Sequence, residues 1–203
     1  IRDSVASRGL GDVYKRQDLE FVKKHKIPAR IDFEISHSLK NWDKYEEIWE
    51  TYLKKKNFPP TFKLTDLFEI NPESKMVIEL YDYDELVAFS VIRMDPGPVS
   101  LQFAWTYHEP KLSLGTHCQY FELYYLSGCG FHYNYVCPGY ERTCIWKSRF
   151  PGFEFWTGSK WSRDKKVYTE LCITDSEIKD IDDLDKVGDL PLEMSSNKYM
   201  EWS

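Results

Sequence analysis

Met76-Val77-Ile78-Glu79-Leu80-Tyr81-Asp82, followed by Leu86 to Met94 and Val99 to Tyr107, decides how this chain folds. Each run is rich in β-branched and aromatic residues and has the length of a strand rather than of a helix. Between them stand Tyr83-Asp84-Glu85 and Asp95-Pro96-Gly97-Pro98, which read as turns. Links that short join antiparallel neighbours, so the stretch predicts a three-stranded meander.

Upstream the apolar period is that of a helix. From Asn41 to Lys56, Trp42, Tyr45, Ile48, Trp49, Tyr52 and Leu53 recur at spacings of three and four, with Asn41 as N-cap and Pro59-Pro60 beyond the end. Thr65 is placed to cap a shorter helical turn through Leu67, Phe68 and Ile70. Downstream, Lys111-Leu112-Ser113-Leu114-Gly115-Thr116 forms a glycine-bearing loop, and Thr116 would cap a helix reaching Leu126. Phe131 to Val136 reads as the next strand. A strand, a helix opening on a loop and a further strand make a unit whose last strand can lie beside the first. Phe153 to Trp156 and Val167 to Ile173 are also expected as strands. The fold class is therefore α+β, with a mixed, mainly antiparallel sheet flanked by helices.

The first seventeen residues show no hydrophobic periodicity and resemble a translated sequencing-library adapter, so residues 1–17 are set aside as a non-native segment. Residues 18–174 are expected to form the domain and 175–203 an acidic tail. The net charge of the chain is −6; removing four bases and two acids with the first segment leaves −8. Residues 175–190 carry seven acids against two lysines, whereas residues 141–166 carry seven bases against three acids. Such a basic stretch can meet a few phosphates, while the overall acidity argues against broad coating of nucleic acid. The five cysteines, Cys118, Cys129, Cys137, Cys144 and Cys172, include no Cys-x-x-Cys pair, so neither a metal site nor a disulfide framework is expected, and a reduced, cytoplasmic setting fits. No apolar run approaches the roughly eighteen residues that cross a bilayer, so no membrane partner is expected.

The loop at residues 111–116 carries the chemistry. The first turn of a helix has amide donors without intrahelical acceptors, and a glycine there allows an anion or carbonyl to come close. Some thirty residues on stands Trp146-Lys147-Ser148-Arg149-Phe150. Taken with the meander, with Tyr107-x-x-Pro110 and with Leu112-Ser113-Leu114-Gly115-Thr116, this order resembles the catalytic region of the arginyl-tRNA–protein transferases and their bacterial leucyl-transferring relatives, which belong to the GNAT-like acyltransferase superfamily. The resemblance covers Tyr45 to Trp161. The Leu-Ser-Leu-Gly-Thr run matches the family pattern, Glu122 falls on its acidic helix position, and Trp146-Lys147-x-x-Phe150 with Glu154 is similar to its Tyr-Lys-x-x-Phe and downstream acid. The family has Lys-Met where this chain has Thr143-Cys144, and its cysteine-rich N-terminal region has no counterpart in this sequence.

The resemblance implies a GNAT-like fold and transfer of Arg or Leu from charged tRNA to the N-terminal amine of an acceptor protein that begins with Asp or Glu. Aminoacyl-tRNA is then a co-substrate, and no cofactor is implied. Amides near Leu114, Gly115 and Thr116 would face the ester or the terminal adenosine, with Tyr107, Ser113, Trp146, Arg149 and Phe150 also binding substrate. Lys147 or Arg149 would hold tRNA phosphate or the acceptor's acidic side chain. Glu154 and Glu122 would orient an ammonium group or accept the amine's proton, or else form structural salt bridges. Gly115→Val is expected to abolish transfer with the melting temperature nearly intact. His108, His117 and His132 form no zinc spacing, and Cys118 lacks a consistent histidine and acid. Two other readings stay open: an acyl-CoA-dependent N-acyltransferase of the same fold, and a noncatalytic module binding protein N-termini or RNA.

Overall fold

Burial along the meander follows from what covers its strands. The computed structural model describes residues 15–37, 40–58, 63–68, 72–136, 142–157 and 160–177. In chain order its elements are β1 (Lys15–Asp18), β2 (Ile31–Ser36), α1 (Trp42–Lys56), β3 (Lys75–Asp82), β4 (Glu85–Arg93), β5 (Val99–Trp105), α2 (Leu114–Gly128), β6 (Tyr133–Val136), β7 (Phe153–Trp156), β8 (Trp161–Ser162) and α3 (Lys165–Glu177). Short 3-10 helices include Leu64–Leu67, Pro110–Leu112 and Arg142–Arg149. The chain divides into two compact units, Leu19–Cys137 and Ile1–Asp18 with Pro138–Ser203, where the sequence reading expects one domain over residues 18–174.

In the unit Leu19–Cys137 the strands run in the order β2, β3, β4, β5, β6. The first three pairings are antiparallel, and β5 pairs with β6 in parallel through Val99↔Tyr135 and Ser100↔Val136. Helix α2 makes the crossover that a parallel pair requires. The class is α+β with a mixed, mainly antiparallel sheet, in the order meander, helix, parallel strand. Strand β4 is buried from Leu86 to Ile92, as a strand covered on both faces must be. On one face, Tyr45, Ile48, Trp49, Tyr52 and Leu53 of α1 pack against Val77, Phe89, Val91 and Ala104. Burying five such side chains contributes on the order of 10 kcal/mol before ordering entropy is counted. On the opposite face Leu114 of α2 joins Ile31, Val87 and Leu112, and Phe121 stacks on Phe33 with ring centroids 3.8 Å apart.

Two expected caps differ. Asn41 stands at the N-cap of α1, yet its Nδ2 donates to Glu79 Oε1 at 2.8 Å instead of its side chain accepting from a helix amide. Thr65 lies within the turn Leu64–Leu67, which is closed by the Lys63 amide donating to Asp66 Oδ2 at 3.1 Å. Ile70 falls outside the described residues.

In the second unit β1 pairs antiparallel with β7 and β7 with β8. Lys15, Arg16 and Gln17, set aside with the first segment in the sequence reading, pair with Phe155, Glu154 and Phe153. Gly152 has φ +72°, and a Cβ there would lie 2.1 Å from the Asp18 carbonyl oxygen, so only glycine fits this approach. The expected strand Val167–Ile173 is helical and forms part of α3. Asp164 Oδ1 accepts the Lys166 and Val167 amides at 2.9 and 3.2 Å, which starts a helix, and Tyr168, Leu171 and Cys172 are buried at helical spacing against Phe153 and Phe155. The β-branched residues Val167, Thr169 and Ile173 misdirect the strand reading, because tertiary burial outweighs propensity. Asp175 to Glu177 complete α3; the rest of the acidic tail, 178–203, lies outside the described residues.

Candidate functional site

Beyond β5 the chain passes Thr106, Tyr107 and His108, makes the turn Pro110–Leu112, and reaches Ser113 in the left-handed region at φ 53°. Helix α2 begins at Leu114, two residues before the start expected from Thr116 as cap. The Thr116 and His117 amides both donate to Ser113 O, at 2.8 and 3.2 Å. Of the three amides expected to meet substrate, Thr116 is therefore already paired. Leu114 and Gly115 hold the first two helix positions, whose donors have no intrahelical acceptor.

Gly115 answers first to packing. A Cβ built on it would lie 2.9 Å from Trp105 Cη2 and Cζ3. The Trp105 ring is itself wedged, with centroids 4.9 Å from Tyr52, 5.6 Å from Phe103 and 5.4 Å from Tyr107. This corrects the expectation that Gly115→Val leaves the melting temperature untouched: a side chain at 115 displaces an indole. Tyr107 stands at the same corner with its hydroxyl buried and without a partner among the described residues, and burial raises its pKa.

Glu122 is wholly buried on α2. Its Oε2 accepts Ser90 Oγ–H at 2.7 Å; its Oε1 accepts Ser100 Oγ–H, Asn134 Nδ2–H at 2.8 Å and Gln119 Nε2–H at 3.3 Å. Burial pushes the carboxyl above its ordinary range, against the opposing effect of these donors. Its neighbours are hydroxyls and amides instead of the cation that a salt bridge would supply, and it has no exposed surface. The carboxylate ties α2 to β4, β5 and β6.

The residues of the second motif lie in the other unit. Trp146, Lys147 and Arg149 are on the 3-10 helix Arg142–Arg149, with Phe150 just after it; Trp146 meets Phe150 edge-on at 5.8 Å. Phe150 is buried, Lys147 half-buried and Arg149 exposed. Glu154 on β7 is held on both oxygens, by Arg16 Nε at 2.7 Å and Arg163 Nε at 2.9 Å, and Arg163 also reaches Asp18 at 2.6 Å. Of the roles left open for Glu154, the structural ion pair is the one these contacts serve.

The histidines show a pattern that spacing alone does not reveal. His108 Nδ1 meets Thr106 Oγ1 at 2.6 Å and its Nε2 meets Asp82 Oδ2 at 3.0 Å. His117 Nδ1 meets His25 Nε2 at 3.2 Å, and burial followed by the charge of His25 lowers the His117 pKa. The His132 carbonyl accepts the Leu19 amide. Cys118 is wholly buried, and burial beside Glu122 holds its thiol well above the ordinary range. Among the described residues no helix is long and apolar enough to cross a membrane.

No protein-family model matches this chain, and no curated protein matches it by sequence. Among solved structures, the C-terminal domain (DUF2156) of a protein described as a lysylphosphatidylglycerol synthetase from Agrobacterium fabrum is similar at TM-score 0.48 and 13% identity, over 63% of this chain and 47% of that one. A GCN5-related N-acetyltransferase from Kribbella flavida is similar at TM-score 0.44 and 11% identity, over 63% of this chain and 48% of that one. A conserved protein of unknown function from Staphylococcus epidermidis is similar at TM-score 0.44 and 12% identity, over 74% of this chain and 64% of that one. The chain thus spans about half the length of the first two. The fold class rests on the strand order and the crossover described above.

Proposed function

We propose that this chain moves an aminoacyl group, Arg or Leu, from the 3′ end of a charged tRNA to the N-terminal amine of an acceptor protein beginning with Asp or Glu. The observation that carries the reading is the start of α2. Leu114 and Gly115, in the Leu-Ser-Leu-Gly-Thr run, present the two helix-start amides at the beginning of a crossover between parallel strands.

The amine nitrogen attacks the ester carbonyl, a C–N bond forms, the C–O bond to the ribose breaks, and the proton lost by the amine is returned to the ribose oxygen. The ester is already activated, so the protein has to align the reactants and stabilise the tetrahedral oxyanion. One well-placed amide donor contributes about 3 kcal/mol to that step. Glu122 supports the same corner by fixing α2 to three strands. Lys147 and Arg149, in the other unit, carry positive charge of the kind that tRNA phosphate or an acidic side chain would meet.

The test is purified protein with an Asp-starting peptide and either arginyl-tRNA, leucyl-tRNA or acetyl-CoA, read by the mass of the peptide. An arginyl or leucyl increment is expected. An acetyl increment selects an acyl-CoA-dependent N-acyltransferase, and an unchanged peptide with all three selects a noncatalytic module that binds N-termini or RNA.

A further inference from the structure

Transfer to an amine must dispose of a proton, and neither expected acid is placed to take it. Glu122 is wholly buried and Glu154 is gripped by two arginines. The corner after β5 holds another device. Asp82 at the end of β3 has a side chain 11% exposed and lies 3.0 Å from Arg30 Nε through Oδ1. Its other oxygen meets His108 Nε2 at 3.0 Å, and His108 is 39% exposed. A neutral imidazole that donates from Nε2 to the Asp82 carboxylate carries its lone pair on Nδ1. That lone pair faces the Thr106 hydroxyl at 2.6 Å. Hydroxyl, imidazole and carboxylate thus stand in the order of nucleophile, base and orienting group.

From this geometry we infer that Thr106, His108 and Asp82 form the proton relay of the transfer reaction. The inference rests on the aminoacyl-transfer reading and deepens it. Thr106 follows Trp105 in the chain, and the ring of Trp105 covers Gly115. As the amine attacks, its proton passes to Thr106 Oγ while the Thr106 proton passes to His108 Nδ1. Asp82 stabilises the imidazolium, and when the C–O bond breaks the same path returns one proton to the ribose oxygen. The charged groups facing His108 and Asp82 are Arg30, which stacks near Tyr83 at 5.9 Å, and Glu109, which binds Arg30. Arg30 thus lies between the carboxylates of Asp82 and Glu109.

The experiment measures transfer rates against pH 5.5 to 9 for the wild type, Thr106→Val, Thr106→Ser, His108→Gln and His25→Gln, each checked for an unchanged melting curve. Wild type should show an ascending limb as the base of the relay loses its proton. Thr106→Val and His108→Gln should lower kcat by roughly 100-fold or more with KM little changed, as loss of general-base catalysis does. Thr106→Ser should restore the rate that valine loses, and His108→Gln should lose the limb. Wild-type kcat and limb in Thr106→Val, or loss of the limb in His25→Gln with its retention in His108→Gln, overturns the relay while the transfer reading stands. Absence of any transfer by the wild type overturns both.

Discussion

Alanine at position 115 places a methyl carbon 2.9 Å from two atoms of the Trp105 ring and 3.2 Å from a third. Carbon atoms rest about 3.5 to 4.0 Å apart, so either the ring or the helix start must yield by roughly half an ångström or more. The ring has little freedom to yield, with Tyr52, Phe103 and Tyr107 around it and Lys56 Nζ 5.3 Å from its centroid. Forced overpacking costs about 1–3 kcal/mol. Against this, replacing glycine by alanine where the backbone is helical recovers about 0.4–1 kcal/mol from the unfolded chain. Gly115→Ala should therefore destabilise by about 1–2 kcal/mol, read as a lower midpoint at unchanged slope in urea unfolding. The cost belongs to the pair, so Trp105→Leu, which removes the indole, should cancel most of it in a double-mutant cycle. Equal or greater stability of Gly115→Ala, or a cost that persists undiminished in the Trp105→Leu background, would refute the packing argument.

Three further outcomes concern ionisable groups. Glu122 has its folded pKa raised above 4.5 by burial, so its contribution is present below about pH 4.5 and is lost as pH rises through the folded value. Relative to Glu122→Gln, wild type should gain stability as pH falls from 8 to 5, and parallel stability curves would count against the buried carboxylate. His117 has the opposite sign: its pKa is lowered from 6.5 by burial and His25, so its contribution is present above pH 6.5 and is lost as pH falls. Melting curves below pH 6.5 should fall more steeply for wild type than for His117→Asn, and a direct titration of the His117 ring by NMR above 6.5 would reverse the argument. Glu154→Gln should cost about 1–2 kcal/mol in urea unfolding, between surface and buried pairs because Arg163 is 48% exposed while Arg16 is 14% exposed. It should leave the shape of the transfer profile from pH 6 to 9 unchanged, whereas a lost limb would restore Glu154 as a base.

Elements whose evidence is local were readable from residues alone. The spacing of Tyr45, Ile48, Trp49 and Tyr52 fixes α1, and the short links after Asp82 and Met94 force β3, β4 and β5 into a meander. The strand, helix, strand order then leaves β6 beside β5. What escaped the sequence depends on distant partners. Val167 and Ile173 carry the side chains of a strand, while the helix there depends on Asp164 and on a binding face for Tyr168 and Leu171. Glu154 is matched by motif, yet its role turns on Arg16, in the segment the sequence reading set aside, and on Arg163. Thr106 and His108 sit two apart, but nothing local announces that Asp82 completes the row.

Glu122 shows why a motif position and a reacting group are separate matters. Its four neighbours, Ser90, Ser100, Asn134 and Gln119, come from three strands and α2 itself, and all donate. An apolar side chain of equal size would fill the space and leave those donors unsatisfied, at about 1–3 kcal/mol each where no water reaches. A glutamine would turn an amide donor toward them. A carboxylate is the group that satisfies all four, and in doing so it fixes the helix that presents Leu114 and Gly115 to the strands it crosses. The acid is thus required by position, as the tie that holds α2 to β4, β5 and β6.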